Sequence, residues 1–373
     1  MFTLSIFDYI DKYSVYSFED VPFNDIDNLI FSSLSYIDFE GIVSINKYNP
    51  MTIGNVGKIY FNSHNKMVND ILAVRQAFKI FRAIYNTSRY RDLLLYNYVY
   101  ETKPNEQFGA VTIELNKNLV YVSFEGTDQM ISGWKEDFML SYKFPVLSQR
   151  KAIDYVNRNF LFRHKKIILG GHSKGGNLAV VAGMYANFFV RDKIIKIYNN
   201  DGPGLLREQF ESRNYREISN KLVQIVPNDC IVGLLLNHSD NYIIVNSSKT
   251  GILAHDITTW LVDEISLNLG EFTKFSKKLD SSLTLWIKKY NKNERERFVE
   301  SLFKIFDELN IDSFVDIAMK KTLIVKIIIG AKDIDKDTKY MLKECVSLIF
   351  KCYRDITAEE LKMFFNRRRN VNE

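Results

Sequence analysis

Gly171-His172-Ser173-Lys174-Gly175 sets a serine between glycines two residues before and two residues after it. This spacing suits a hydroxyl nucleophile. Residues without side chains on both sides let the chain turn sharply from strand to helix, and the serine then projects from the sheet edge. The N–H groups at the start of the following helix favour negative charge developing beside it. Such a pattern also arises by chance, so its flanks must supply the turn. Lys166-Ile167-Ile168-Leu169 reads as a short buried strand, and Gly176-Asn177-Leu178-Ala179-Val180-Val181-Ala182 as a helix of small residues that packs closely.

A serine nucleophile needs a base, and the base needs an acid to orient it. In strand-turn-helix sites of this kind the chain order is nucleophile, acid, histidine. Two histidines follow Ser173. His255 comes after the last expected strand and is the expected base. His238 precedes that strand and reads as a loop residue. Two aspartates end strands in the right interval: Asp229 closes Val223-Gln224-Ile225-Val226-Pro227-Asn228-Asp229, and Asp201 closes Ile197-Tyr198-Asn199-Asn200-Asp201. Because the acid usually lies two strands beyond the nucleophile, Asp229 is preferred and Asp201 is the alternative. Asp256, next to the base, is expected to cap or face solvent. The oxyanion hole would take the N–H of Lys174 and a donor from the loop Glu125-Gly126-Thr127-Asp128. One missing donor there costs about 3 kcal/mol of transition-state stabilisation.

The elements that must hold these residues follow from periodicity. Asn24 to Tyr36 and Lys66 to Tyr85 have helical apolar spacing, the first with Asn24 or Asp25 as its cap. Gly109 to Leu115 and Leu119 to Phe124 alternate around the turn Asn116-Lys117-Asn118, which predicts a hairpin. Helices are then expected over 149–160, 177–188 and 209–220, interleaved with strands over 166–169, 193–198, 222–226 and 242–245. That alternation predicts an α/β fold with a mostly parallel sheet covered on both faces, and the hairpin on its N-terminal side. Beyond about Leu267 strand signals stop. Helices are expected over 281–290, 293–309, 313–331 and 337–353, and Thr357-Ala358-Glu359-Glu360 reads as a capping box opening a last one. The chain therefore divides into a catalytic domain over 1–270 and a helical C-terminal region over 271–373.

Composition narrows the class. The 373 residues carry 50 Lys and Arg against 45 Asp and Glu, a net charge of +5, which gives no concentrated basic footprint for nucleic acid. Three cysteines (Cys230, Cys345 and Cys352) make neither a disulfide framework nor a zinc site, and no cofactor or metal is expected. The N-terminus meets acids at once and lacks a signal-peptide pattern. The longest apolar run, Leu323 to Ala331, is broken by Lys326 and is too short to span a bilayer. A soluble, cytoplasmic protein acting on a small acyl ester or lipid is expected. Arg367-Arg368-Arg369 after Phe364-Phe365 is a candidate for peripheral contact with anionic headgroups, against the commoner reading of a solvated terminus.

Several stretches resemble a known family. Val122-Ser123-Phe124-Glu125-Gly126-Thr127, Gly133-Trp134-Lys135-Glu136-Asp137 and Gly171-His172-Ser173-Lys174-Gly175-Gly176 are similar to the oxyanion loop, the Trp…Asp stretch and the elbow of class 3 (fungal-type) lipases. Leu34-Ser35-Tyr36, Asn177, Ile231-Val232-Gly233 and Ala254-His255-Asp256 with Trp260 resemble more closely a lipase-like α/β-hydrolase family of unknown function from Firmicutes. The resemblance covers about residues 20 to 265. It implies an α/β-hydrolase fold, a triad of Ser173, Asp229 and His255, an oxyanion hole of Thr127 and Lys174, and Trp134 in the lid-side wall. Glu125 stands where those lipases have arginine, and Lys174 where they have an apolar leucine on the acyl path. That argues against long-chain triglycerides, unless the Lys174 amine simply lies in water on the first helical turn. The residues thus point to a serine esterase, lipase or thioesterase, with an acyltransferase or a non-catalytic binding module as alternatives.

Overall fold

The computed structural model describes residues 4–63, 72–103, 106–127, 131–309 and 336–344. The helices expected over 313–331 and after Thr357, the end of that over 337–353, and the Phe364-to-Arg369 segment lie outside the described residues. Among the described residues, no helix is long and apolar enough to cross a membrane.

The chain opens with β1 (Leu4–Ser5), α1 (Ile6–Tyr13), α2 (Asp25–Leu34), β2 (Met51–Thr52), α3 (Ile53–Ser63) and α4 (Leu72–Ile84). Next come β3 (Leu94–Lys103), β4 (Glu106–Asn116), β5 (Leu119–Phe124), α5 (Ile131–Met139), α6 (Leu147–Phe160), β6 (Lys166–His172) and α7 (Lys174–Tyr185). Then follow α8 (Phe188–Arg191), β7 (Ile194–Asn200), α9 (Arg207–Phe210), α10 (Arg213–Ile218), β8 (Leu222–Pro227) and β9 (Tyr242–Val245). β10 (Leu261–Asp263), β11 (Ser266–Leu267), α11 (Lys274–Lys289) and α12 (Lys292–Glu308) complete the named elements.

Strands β2 to β9 form one sheet in sequence order, antiparallel from β2 to β5 and parallel from β5 to β9. With neighbours added in one direction, right-handed crossovers put their helices on a single face. α6, α7 and α10 do lie together there, around Val120, Val122, Phe124, Ile167, Leu169 and Ile197. The opposite face must be covered by something else, and α1 to α4 cover it, over Val111, Ile113, Tyr121, Ile168 and Tyr198. The period-2 alternation of β5 read from sequence therefore faces two real cores. The arrangement is an α/β-hydrolase fold, as expected. Short β1, β10 and β11 pair in a separate small sheet.

α2 shows how the buried face reaches the strand ends. Asn24 caps it by accepting the Ile26 and Asp27 N–H groups, and Ile26 through Leu34 are all buried. Inside, Asp27 accepts Arg89 and Tyr90, so the buried charge is paired. Asn28 and Ser32 bond Asn200, whose amide donates to the Gly171 carbonyl at 3.1 Å. The helix thus braces the ends of β6 and β7 from below.

Sequence periodicity missed β3, α3 and α5, and the expected helix over 209–220 is two short helices, α9 and α10. α11 begins at Lys274, earlier than expected, because Thr273 caps it.

Candidate active site

The turn at Ser173 is as sharp as its glycines require. Ser173 has φ 58° and ψ −134°, a backbone region that L residues rarely adopt, and α7 starts at the next residue. Its N–H donates to the Asn200 carbonyl at 2.9 Å, and its own carbonyl accepts the Gly176 N–H at 2.9 Å. A Cβ on Gly171 would strike the backbone of Gly175, and one on Gly175 would strike the Phe124 carbonyl. The turn is folded tightly on itself and on the end of β5, which leaves no room for side chains there. The Gly126-Thr127 loop comes just as close. A Cβ on Gly126 would meet the Tyr36 hydroxyl, and would sit 3.1 Å from the Ser173 Cβ.

His255 lies on a 3₁₀ turn, Gly251–His255, after β9. Its Nδ1 is 2.6 Å from Asp201 Oδ2. The other oxygen of Asp201 accepts the Gly233 N–H and the Cys230 thiol, each at 3.0 Å. The residue is 1% exposed and holds a positive φ of 50° at the end of β7.

The preferred acid, Asp229, is therefore corrected: His255 pairs with Asp201. Asp229 instead accepts the Gly251 N–H on Oδ2 and the Thr273 hydroxyl on Oδ1. Strand position explains the difference. β7 is the immediate neighbour of β6, with His172 opposite Asn200, so the next residue on each strand leaves the sheet side by side. β8 is one strand further out, about 5 Å more, and Asp229 lies two residues beyond its end.

His172, given no role by sequence reasoning, holds the His255 turn. Its Nε2 is 2.7 Å from the His255 carbonyl, its Nδ1 is 3.2 Å from the Tyr36 hydroxyl, and the two imidazoles are 4.5 Å apart. Burial, then His255, pushes the His172 imidazole well below its ordinary range, so it is neutral and its Nε2–H donates. Its place inside the Gly-x-Ser-x-Gly pattern was the only signal available.

Under the elbow lies a second group. Lys174 follows Ser173 yet is 0% exposed, its ammonium 3.1 Å from Glu136 and 3.3 Å from the Gln107 carbonyl. The expectation of an amine in water is overturned, and so is that of a lysine lining the acyl path. The side chain runs inward beneath α5. Burial alone would lower the Lys174 ammonium, but Asp137, Glu136 and Glu125 together hold it above its ordinary value. Glu136 also accepts the Ser148 N–H at the start of α6. Thr127 donates its hydroxyl to Asp137 at 2.7 Å. Desolvation lifts the Asp137 carboxyl to about 6, against the pull of Lys174 and the Thr127 hydrogen bond.

Other candidates lie elsewhere. His238 faces Asp280 at 3.5 Å and tilts against Tyr242. Asp256 caps the turn at Thr258 and accepts Gln76, as a capping residue would. Trp134 sits on α5 with Phe138 and Met139, packed against Phe298, Leu302 and Phe303 of α12. Asn177 of the elbow helix donates to the Pro203 and Gly204 carbonyls and so fastens the loop after Asp201.

A family model, Mbeg1-like, matches residues 84–304, a span that contains the elbow, both strand-end aspartates and His255. The chain belongs to the Mbeg1-like family. The family is lipase-like, in keeping with the elbow and strand order. No curated protein matches the chain. Among solved structures, the crystal structure of M37 lipase is similar at 15% identity, covering 56% of this chain and 69% of that one with a TM-score of 0.34.

Proposed function

We propose that the protein is a serine hydrolase that cleaves an ester or thioester bond through an acyl-enzyme, with Ser173, His255 and Asp201 as its triad. The observation that carries this reading is the 2.6 Å pairing of His255 Nδ1 with Asp201, on a strand end beside the strained turn at Ser173. With Nδ1–H donated to Asp201, the Nε2 lone pair is the one left to take a proton. Ser173 Oγ attacks the acyl carbon and its proton passes to His255. The tetrahedral oxyanion is met by the N–H groups of Lys174 and Thr127. Its collapse expels the alcohol or thiol, which takes the proton from His255. Water then repeats the sequence on the acyl-enzyme and releases the acid.

The substrate is a small acyl ester or lipid. Lys174 is buried against Glu136 of α5, so its ammonium does not select against long acyl chains. A fluorophosphonate probe on the full chain tests the reading. Labelling at Ser173, lost in Ser173→Ala, is expected, together with hydrolysis of p-nitrophenyl esters whose chain-length profile defines the acyl pocket. Labelling at another residue, or no labelling of the wild type, overturns it.

A further inference from the structure

Asp229, displaced from the acid position, is 4% exposed and is fully engaged. Its Oδ2 accepts the N–H of Gly251, the residue that opens the His255 turn with φ 58°. Its Oδ1 accepts the hydroxyl of Thr273, the cap of α11. The seat of α11 on the β8-end loop is broader than this one bond. The Thr273 N–H donates to the Asn228 carbonyl at 2.9 Å, and the Ser276 hydroxyl reaches the Asn228 and Cys230 carbonyls. At its far end the same turn is held by His172 on the His255 carbonyl and by the Trp260 indole on the Ala254 carbonyl. One carboxylate thus joins the entry of the base-bearing turn to the first C-terminal helix.

We infer that Asp229 and Thr273 form a latch through which helix α11 positions His255, so that the C-terminal helices are part of the catalytic unit. This rests on the hydrolase reading for its kinetic consequence only. Asp229 is here a positioning residue, acting through the turn. An uncharged amide serves the latch, because the Asn oxygen accepts from Gly251 while its N–H donates to the Thr273 hydroxyl. The same substitution at the acid position fails, since an amide there does not stabilise the imidazolium.

The test uses Thr273→Val, Asp229→Ala and Asp229→Asn in the full chain. Amide exchange of residues 251–256 should accelerate in the first two, with exchange in β6 and β7 unchanged. On a p-nitrophenyl ester, kcat should fall about tenfold, as expected for a base moved by a fraction of an ångström. KM should stay within about twofold, because substrate binding is untouched. Asp229→Asn should recover most of both. Unchanged exchange over 251–256 in Thr273→Val and Asp229→Ala overturns the latch, and so does a loosening spread evenly over the whole chain. Asp229→Asn as damaging as Asp201→Asn overturns it too. The exchange measurement needs no turnover. A wild type that takes no fluorophosphonate therefore defeats the hydrolase reading, while the latch stands or falls on exchange alone.

Discussion

The two sides of the elbow are built on opposite principles. On the His255 side, Asp201 is held by His255, one backbone N–H and one thiol, with no lysine or arginine against it among the described residues. On the Thr127 side, Lys174 is enclosed with Glu136, Asp137 and Glu125, and Thr127 hangs from Asp137. In the proposed reaction the first side passes one proton, and hydrogen bonds orient its groups. In the same proposed reaction the second side holds backbone N–H groups still while charge forms on the substrate. Rigidity there comes from an ion pair that ties α7 to α5 and α6. On the proposed mechanism, stability and chemistry are thereby separated between two neighbouring regions.

Substitutions at Asp201, at the Lys174–Glu136 pair and at Asp137 test that separation. The largest effect is expected for Asp201→Asn. It should lower kcat by about 10⁴-fold, since the imidazole loses its orienting anion and tautomer, with little change in melting temperature. A large fall in melting temperature with activity retained per folded molecule would erase the contrast. Next comes Glu136→Gln, which removes the carboxylate hydrogen-bonded to the buried Lys174 ammonium and leaves that charge to Asp137 and Glu125. Breaking one half of such a pair costs about 3–5 kcal/mol, seen as a lower denaturation midpoint. Replacing both, as Lys174→Met with Glu136→Leu, should recover much of that loss. If Glu136→Gln is neutral in stability, the ion pair is not what stiffens this side.

The smallest effect concerns pH. The Asp137 carboxyl is raised from 3.8 to about 6, so between those values the folded chain binds a proton that the unfolded chain has released. Its contribution is thus most favourable below about 3.8 and is lost as pH rises through about 6. Asp137→Asn should remove this falling component from the melting temperature measured between pH 4 and pH 7. An unchanged pH profile would assign no such role to Asp137.

Much of the fold was legible because its signals are local. The alternation of β5 and the run Ile167-Ile168-Leu169 report strands covered on both faces, and Asn24 announces the helix it caps. The site was legible where a single turn makes it, as at Gly171, Ser173 and Gly175. α5 was missed because its apolar residues Trp134, Phe138 and Met139 face α12, some 160 residues further on, and not the sheet. The partner of His255 was misplaced for a related reason. Asp201 and Asp229 each follow the end of an apolar strand, and counting strands along the chain does not show which strand end lies beside Ser173.

Sequence alone determined the elbow, the order of Ser173 and His255 along the chain, and the alternation that makes a parallel sheet. These depend on backbone sterics and on periodicity, which are properties of neighbouring residues. Which aspartate meets His255, where the Lys174 amine goes, and what Asp229 holds were decided only by tertiary structure. Each depends on which strand lies beside β6 and on what is packed over the elbow, distances set when the sheet assembles and its faces are closed.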